Sequence, residues 1–199
     1  MATLSDGPGP SAVPTLVGAV LCGGRSSRFG SDKALALIDG VPMGRRVADA
    51  LRDAGADPVV AVGGTAGPAL GLPVIADRSP GEGPLGGLAT VLGWAATGLV
   101  LVTPCDLPLL RGEHLSPLVT ATDGGARAAV ARVEGRPQPS VGCWPGAWGR
   151  EVQRRFSAGE RAWRSALDVG PWTAVDLAPE ALLDADTRDE LDRLGGDGE

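Results

Sequence analysis

Apolar residues fall in short runs separated by glycine- and proline-bearing turns, and the spacing within each run predicts its element. Leu16-Val17-Gly18-Ala19-Val20 reads as a buried strand. Residues 34–38 form a second short apolar run, closed by the turn signal Asp39-Gly40. Pro42 stands where it can open a helix in which Val47, Ala48, Leu51 and Ala54 recur at helical spacing, with Gly55 as its C-cap. Residues 59–62 predict the second strand, ending in Gly63-Gly64. Pro73-Val74-Ile75-Ala76 predicts a third, which delivers Asp77 at its carboxyl end. A glycine-rich loop over 79–87 precedes a helix over 85–96 that carries Leu88, Val91, Leu92 and Ala95 on one face. Leu99-Val100-Leu101-Val102 is the most clearly buried strand, and it runs into Thr103-Pro104-Cys105-Asp106-Leu107-Pro108. Strand, loop and helix thus repeat three times, which predicts a parallel sheet with helices on both faces.

The second half is less regular. It predicts a helix over 113–122 and strands over 128–133 and 140–144, parted by a Gly135-Arg136-Pro137 turn. Helices over 147–156 and 160–168 follow, then a short strand over 172–177. Thr187 opens a last helix, with Asp186 as N-cap and Leu191 and Leu194 inward. Trp144, Trp148, Trp163 and Trp172 fall in this half and read as packing residues rather than a stacking platform. The expected organisation is a disordered lead-in over 1–14, a single domain over 15–195 and a flexible tail over 196–199.

Composition narrows the function. A net charge of −6 disfavours a nucleic-acid partner. Residues 15–46 reverse that sign locally, with five cations against Asp32 and Asp39, which suits a small anionic ligand. Cys22, Cys105 and Cys143 are widely spaced and odd in number, so neither a disulfide framework nor a metal pattern is expected, and a cytoplasmic setting is. His114 is the single histidine, which excludes a mechanism needing two. No apolar run reaches membrane-spanning length, and no membrane partner is expected.

The chemistry gathers after the predicted strands. Leu21-Cys22-Gly23-Gly24-Arg25-Ser26-Ser27-Arg28-Phe29-Gly30-Ser31-Asp32-Lys33 pairs adjacent glycines, which allow close backbone approach to an anion, with three cations. Lys33 is the only lysine beside seventeen arginines, so this position calls for a compact, mobile ammonium. The loop lacks the Gly-Lys-Ser/Thr ending of a Walker A motif and the spacing of a dinucleotide fingerprint. Together with Asp77, the 81–87 loop and Asp106, it has the parts for nucleotidyl transfer. Arg28 and Lys33 would neutralise a triphosphate, and Asp106 would offer the hard oxygen ligand that Mg²⁺ needs. Capping a turn before Pro108 is the other reading of Asp106.

These residues resemble the Leu-Ala-Gly-Gly-x-Ser-x-Arg-Met-Gly-x-Asp-Lys signature of molybdenum cofactor guanylyltransferases. Asp77, Gly83-Pro84-Leu85-Gly86-Gly87-Leu88 and Pro104-Cys105-Asp106-Leu107-Pro108 match the next blocks in order. The resemblance spans roughly residues 16–194. It implies a three-layer α/β/α nucleotidyltransferase fold, Rossmann-like, with a mostly parallel central sheet. It also implies GTP with its phosphates over Gly23, Gly24 and Lys33 and its base and ribose near Leu21, Cys22 and Asp77, with Gly83 in the second binding loop. Arg28, Lys33 and Asp106 would be catalytic, with Asp106 holding Mg²⁺. The implied acceptor is the terminal phosphate of molybdenum-bearing molybdopterin, and the implied protein partners are molybdoenzymes or other proteins of cofactor synthesis. A carboxylate at Asp77 suits guanine, because it can accept from both N1–H and the exocyclic amine.

The sequence departs from the family in two places. Cys22 stands where the family carries alanine, and with no histidine nearby it reads as a tolerated variant rather than a catalytic thiol. Asp184-Ala185-Asp186-Thr187-Arg188 replaces the family's Asn-x-Asn-Thr-Pro stretch on the pterin side, so two carboxylates would face an anionic acceptor or hold a second metal ion. This leaves open a cytidylyltransferase for the same cofactor, a guanylyltransferase acting on a small phosphorylated acid as in deazaflavin cofactor synthesis, and a GTP-binding regulatory protein without turnover.

Overall fold

The first strand, β1 (Leu16–Leu21), is central because both its faces are apolar: Val17 and Ala19 enter one core, Leu16 and Val20 the other. The structure is a computed structural model, and it describes residues 16–23, 32–185 and 190. A two-residue hairpin follows, β2 (Leu37–Ile38) and β3 (Val41–Pro42), turned by Asp39-Gly40. Helix α1 (Met43–Asp53) then returns the chain to β4 (Val59–Val62) and β5 (Val74–Ile75). Helix α2 (Pro84–Trp94) leads to β6 (Leu99–Pro104), and α3 (Gly112–Ala121) to β7 (Ala128–Val133) and β8 (Arg136–Pro145). Helices α4 (Gly149–Ser157) and α5 (Arg164–Leu167) precede β9 (Trp172–Asp176).

Seven strands form one sheet in the order β5-β4-β1-β6-β8-β7-β9. Neighbours from β5 to β6 are parallel, as are β7 and β9, while β8 runs antiparallel to both β6 and β7. Each face is covered. Val47, Ala48 and Leu51 of α1 and Leu115 and Leu118 of α3 pack on one side. Leu85, Leu88 and Leu92 of α2, Val152 and Phe156 of α4 and Ala166 of α5 pack on the other. The expected three-layer α/β architecture is the one observed, and no helix of the described residues is long and apolar enough to cross a membrane.

Three local expectations shift. Pro42 does not open the helix. It pairs with Leu37 across the hairpin, and α1 begins one residue later. β8 starts at Arg136 rather than Ser140, and Pro137 is paired within it. Before Gly142 the strand has β7 as its neighbour but is not yet paired with β6, so a missing proline N–H is tolerated there. The 160–168 helix shortens to α5, because Arg161 clips the preceding turn instead: it donates to the carbonyls of Phe156 and Glu160 at 2.7 and 2.9 Å, and its guanidinium sits 4.2 Å over the Phe156 ring. The tryptophan reading largely holds. Trp144 is fully buried, with Trp148 edge-on at 6.1 Å and Trp163 stacked at 6.3 Å, while Trp172 is exposed. The lead-in over 1–14, the tail over 196–199 and the helix opened by Asp186-Thr187 lie outside the described residues.

The central strands carry the stability. Leu101 of β6 is fully buried between the sheet and the α1–α3 layer. Leu101→Ala is expected to lower unfolding free energy by about 2–5 kcal/mol in urea titration, the range for a buried leucine whose cavity cannot collapse.

Candidate functional site

The strand order reverses between β1 and β6. From β1 the chain crosses through α1 to β4 on one side, then returns through α2 to β6 on the other. In open parallel sheets a crevice opens outside the carboxyl ends of the strands at such a point. Cys22-Gly23 leaves β1 there and Cys105-Asp106 leaves β6. Gly63-Gly64 leaves the adjacent β4, and Asp77 follows β5.

Lys33 and Asp106 meet across this point. The Lys33 ammonium donates to Asp106 Oδ2 at 2.7 Å, with the side chains 12% and 24% exposed, so the pair is partly shielded from water yet reachable. The sequence around each residue explains its placement. Asp32 caps the short 3-10 turn that carries Lys33, its Oδ1 accepting from the Ala34 amide at 3.2 Å, and Ala34 is fully buried. Asp106 is held through the chain on either side of it: Cys105 N–H donates to the Leu21 carbonyl at 3.2 Å, and Leu107 is buried.

Asp77 sits beside Gly23. A β-carbon built on Gly23 would lie 3.9 Å from Asp77 Oδ2, and one on Gly63 would lie 3.3 Å from Asp77 Cβ. Asp77 Oδ1 accepts from the Ser79 amide at 3.0 Å and the Thr90 hydroxyl at 3.4 Å. Those two donors take both lone pairs of Oδ1, so the two-oxygen contact expected for guanine reduces to Oδ2.

Several participants escaped the sequence reading. Gly64, at φ +63°, packs so closely on the Cys22 carbonyl that a side chain would run into it. Thr65 donates its hydroxyl to Asp32 Oδ2 at 3.4 Å, tying the β4 loop to the Lys33 turn. The signal for both was the Gly63-Gly64 pair directly after a strand parallel to β1. The Ala185 amide donates to the Asp106 carbonyl at 3.2 Å, and Ala185 is buried with Ile38 and Met43. The altered C-terminal block therefore reaches the site through its backbone, and Asp184 is exposed.

The other expected residues divide. Leu21 is half-buried under α2, its Cδ2 being 3.6 Å from a β-carbon built on Gly87. Gly83, at φ +106°, serves α2 and Arg161: it precedes Pro84 at the helix start, a β-carbon built on it would lie 3.3 Å from Arg161 Cβ, and Arg161 also pairs with Glu82 at 2.8 Å. Gly24 and Arg28 lie outside the described residues. His114 is spent on local structure, its Nδ1 accepting from the Arg111 amide at 3.1 Å. A groove of about 540 Å³ between β8 and α5, lined by Pro137, Pro139, Trp163 and Trp172, shares no lining residue with the strand-end cluster.

Cys22 and Cys105 lie side by side beneath the crevice, with the Cys22 side chain hydrogen-bonded to Cys105. That bond, followed by burial, raises the Cys105 thiol well above its ordinary value. Cys143 is separate and fully buried, and burial pushes it up to about 12. Among the described residues no cluster of three or more His, Cys, Asp or Glu is arranged to hold a metal ion.

Comparison with known proteins converges on one family. Residues 18–172 match the MobA-like NTP transferase domain. A protein of Deinococcus radiodurans named a probable molybdenum cofactor guanylyltransferase is 38% identical over 187 residues, covering 92% of this chain and 96% of the relative. A molybdenum cofactor guanylyltransferase of Rhodobacter capsulatus is 32% identical over 186 residues, covering 89% and 94%. In fold, the chain is similar to the molybdopterin-guanine dinucleotide biosynthesis protein A of Archaeoglobus fulgidus, with a TM-score of 0.68 at 21% identity over 88% of this chain and 95% of that one.

The Lys33–Asp106 contact is measurable without any ligand. A double-mutant cycle with Lys33→Met and Asp106→Asn, read by urea unfolding, is expected to give a favourable coupling of about 0.5–3 kcal/mol. A coupling indistinguishable from zero would show that the two charges do not interact in solution.

Proposed function

Because the chain belongs to the MobA-like NTP transferase family, we propose that it transfers GMP from GTP to the terminal phosphate of molybdenum-bearing molybdopterin and releases pyrophosphate. The observation that carries this reading is the Lys33–Asp106 pair at the strand reversal beside Gly23. A phosphate oxygen of the acceptor attacks the α-phosphorus, and the bond from that phosphorus to the bridging oxygen breaks as pyrophosphate leaves.

The chain's own groups supply most of what this displacement needs. Gly23 is exposed and small, so a phosphate can approach the backbone closely. Lys33 is held 2.7 Å from a carboxylate, already oriented, and a triphosphate competes with Asp106 for its protons. Arg28 would add a second cation from the same loop, and the base and ribose would rest near Leu21 and Cys22. Asp106 fits a magnesium site of the one-carboxylate kind, whose remaining ligands are phosphates and waters. When bound there, Mg²⁺ neutralises charge on the triphosphate. Asp77 offers guanine one acceptor, Oδ2. The preference for GTP over CTP therefore rests more on the relatives than on that carboxylate. The Ala185 contact supports an acceptor side next to Asp106, where the family places its pterin block.

A pyrophosphate-release assay that crosses GTP, CTP and ATP with molybdopterin and with small phosphorylated acids tests the reading. GTP with molybdopterin is expected to be the productive pair. Asp106→Ala should lower turnover by a factor on the order of 100 or more, as expected when a preorganised electrostatic partner of the transferring phosphate is lost. Lys33→Ala should weaken GTP binding by about tenfold or more, the cost of a lost charge-assisted contact. Unchanged turnover in Asp106→Ala would overturn the metal assignment, and release with CTP but not GTP would overturn the nucleotide.

A further inference from the structure

Two cysteines meet at the floor of the crevice, and the transfer reaction uses neither thiol. β1 and β6 pair in parallel through Leu21 and Pro104, and Cys22 and Cys105 are the next residues on each strand. Both side chains enter the same core layer, under α1 and α3. Neighbouring strands lie about 4.8 Å apart, inside the roughly 4.4–6.8 Å between the α-carbons of disulfide-bonded cysteines. Cys22 and Cys105 keep 8% and 9% of their surface, whereas Cys143 has none. The residue after Cys22 is the exposed Gly23, which carries no side chain of its own.

We propose that Cys22 and Cys105 are an oxidisable pair whose disulfide closes the nucleotide crevice, a proposal that rests on the nucleotide reading given above. The oxidant is a hydroperoxide, with hydrogen peroxide the simplest case. One thiol sulfur attacks a peroxide oxygen, the O–O bond breaks, and the products are a sulfenic acid and water. The second thiol then displaces the sulfenic oxygen as a second water, and the S–S bond forms. Two thiols are oxidised by two electrons and one peroxide is reduced. Bonding brings the β-carbons to about 3.8 Å, closer than the roughly 4.8 Å between neighbouring strands. The ends of β1 and β6 must follow, and each carries a site residue one position on, Gly23 and Asp106. Gly64 has no slack against the Cys22 carbonyl, so the β4 loop shifts with them.

The test treats the full chain with hydrogen peroxide, counts free thiols after denaturation, maps crosslinked peptides by mass spectrometry and measures GTP binding and pyrophosphate release. The thiol count is expected to fall from three to one per chain, with Cys22 joined to Cys105. Turnover should fall on the order of 100-fold against the reduced form, the scale of a misplacement of about 1 Å at a reacting centre. Dithiothreitol should restore it. Each variant is compared with its own reduced form: Cys22→Ala and Cys105→Ala should lose this sensitivity, and Cys143→Ser should keep it. Three persisting thiols, a bond that uses Cys143, or equal inactivation of Cys22→Ala would overturn the proposal. So would a mapped Cys22–Cys105 bond that leaves turnover unchanged. A reduced chain that binds no GTP would instead refute the nucleotide reading, while peptide mapping would still decide whether the bond forms.

Discussion

The ion pair between Lys33 and Asp106 joins the two halves of the sheet at the point where its strand order reverses, and the arrangement of the crevice depends on it. Its 2.7 Å length and modest exposure put it between an exposed contact, worth little, and a fully buried one, where desolvation consumes the gain. At that depth, removing one partner leaves the other charge poorly solvated, so the pair acts as a clasp on two loops. Much of the surrounding structure keeps these groups in reach: the Asp32 cap, buried Ala34, the parallel register of β1 and β6, and the amide of Ala185 on the Asp106 carbonyl.

A rigid frame makes such a clasp useful. Val17, Ala19, Val20, Leu101 and Val102 have no exposure, so the strands that end at the crevice are fixed on both faces. The chemistry sits on the loops that leave them, where backbone groups are exposed to a ligand without disturbing the core. Small residues then set the shape of the floor. Gly23 leaves room for Asp77, Gly63 lies against the Asp77 β-carbon, and Gly64 packs on the Cys22 carbonyl. A lone glycine motif would be a weak signal. Three loops that interlock through glycine at the ends of adjacent parallel strands form a cradle.

The strand and helix sequence through β6 was legible because each run is apolar throughout or repeats at helical spacing, and alternating strand with helix leaves few topologies. What local pattern did not carry is mostly partnership across the chain. Nothing near Pro42 shows that it would pair with Leu37, and nothing near Pro137 shows that the neighbouring strand ends early enough to tolerate a proline. Lys33 and Asp106 were each legible as candidates, one as the only lysine and the other as the end of the most apolar strand. Their contact over 73 residues of sequence is a product of topology. Asp77 shows the converse: its position was readable, but the commitment of Oδ1 to Ser79 and Thr90 depends on α2 lying against that turn.

The altered block at 184–188 looked like the weakest match to the family, and the structure changes how that departure weighs. Ala185 stands at the variable position of the Asn-x-Asn-Thr-Pro stretch. Its amide makes the contact with Asp106, and its side chain fills a small pocket with Ile38 and Met43. A backbone donor is indifferent to the side chains beside it, so asparagine can drift to aspartate at 184 without loosening the block from the site. Asp184 is exposed, so its carboxylate is carried at the surface rather than in the core. Among the described residues, a main-chain hydrogen bond and a buried methyl group tie this block to Asp106, and neither needs an asparagine, a residue the chain lacks altogether.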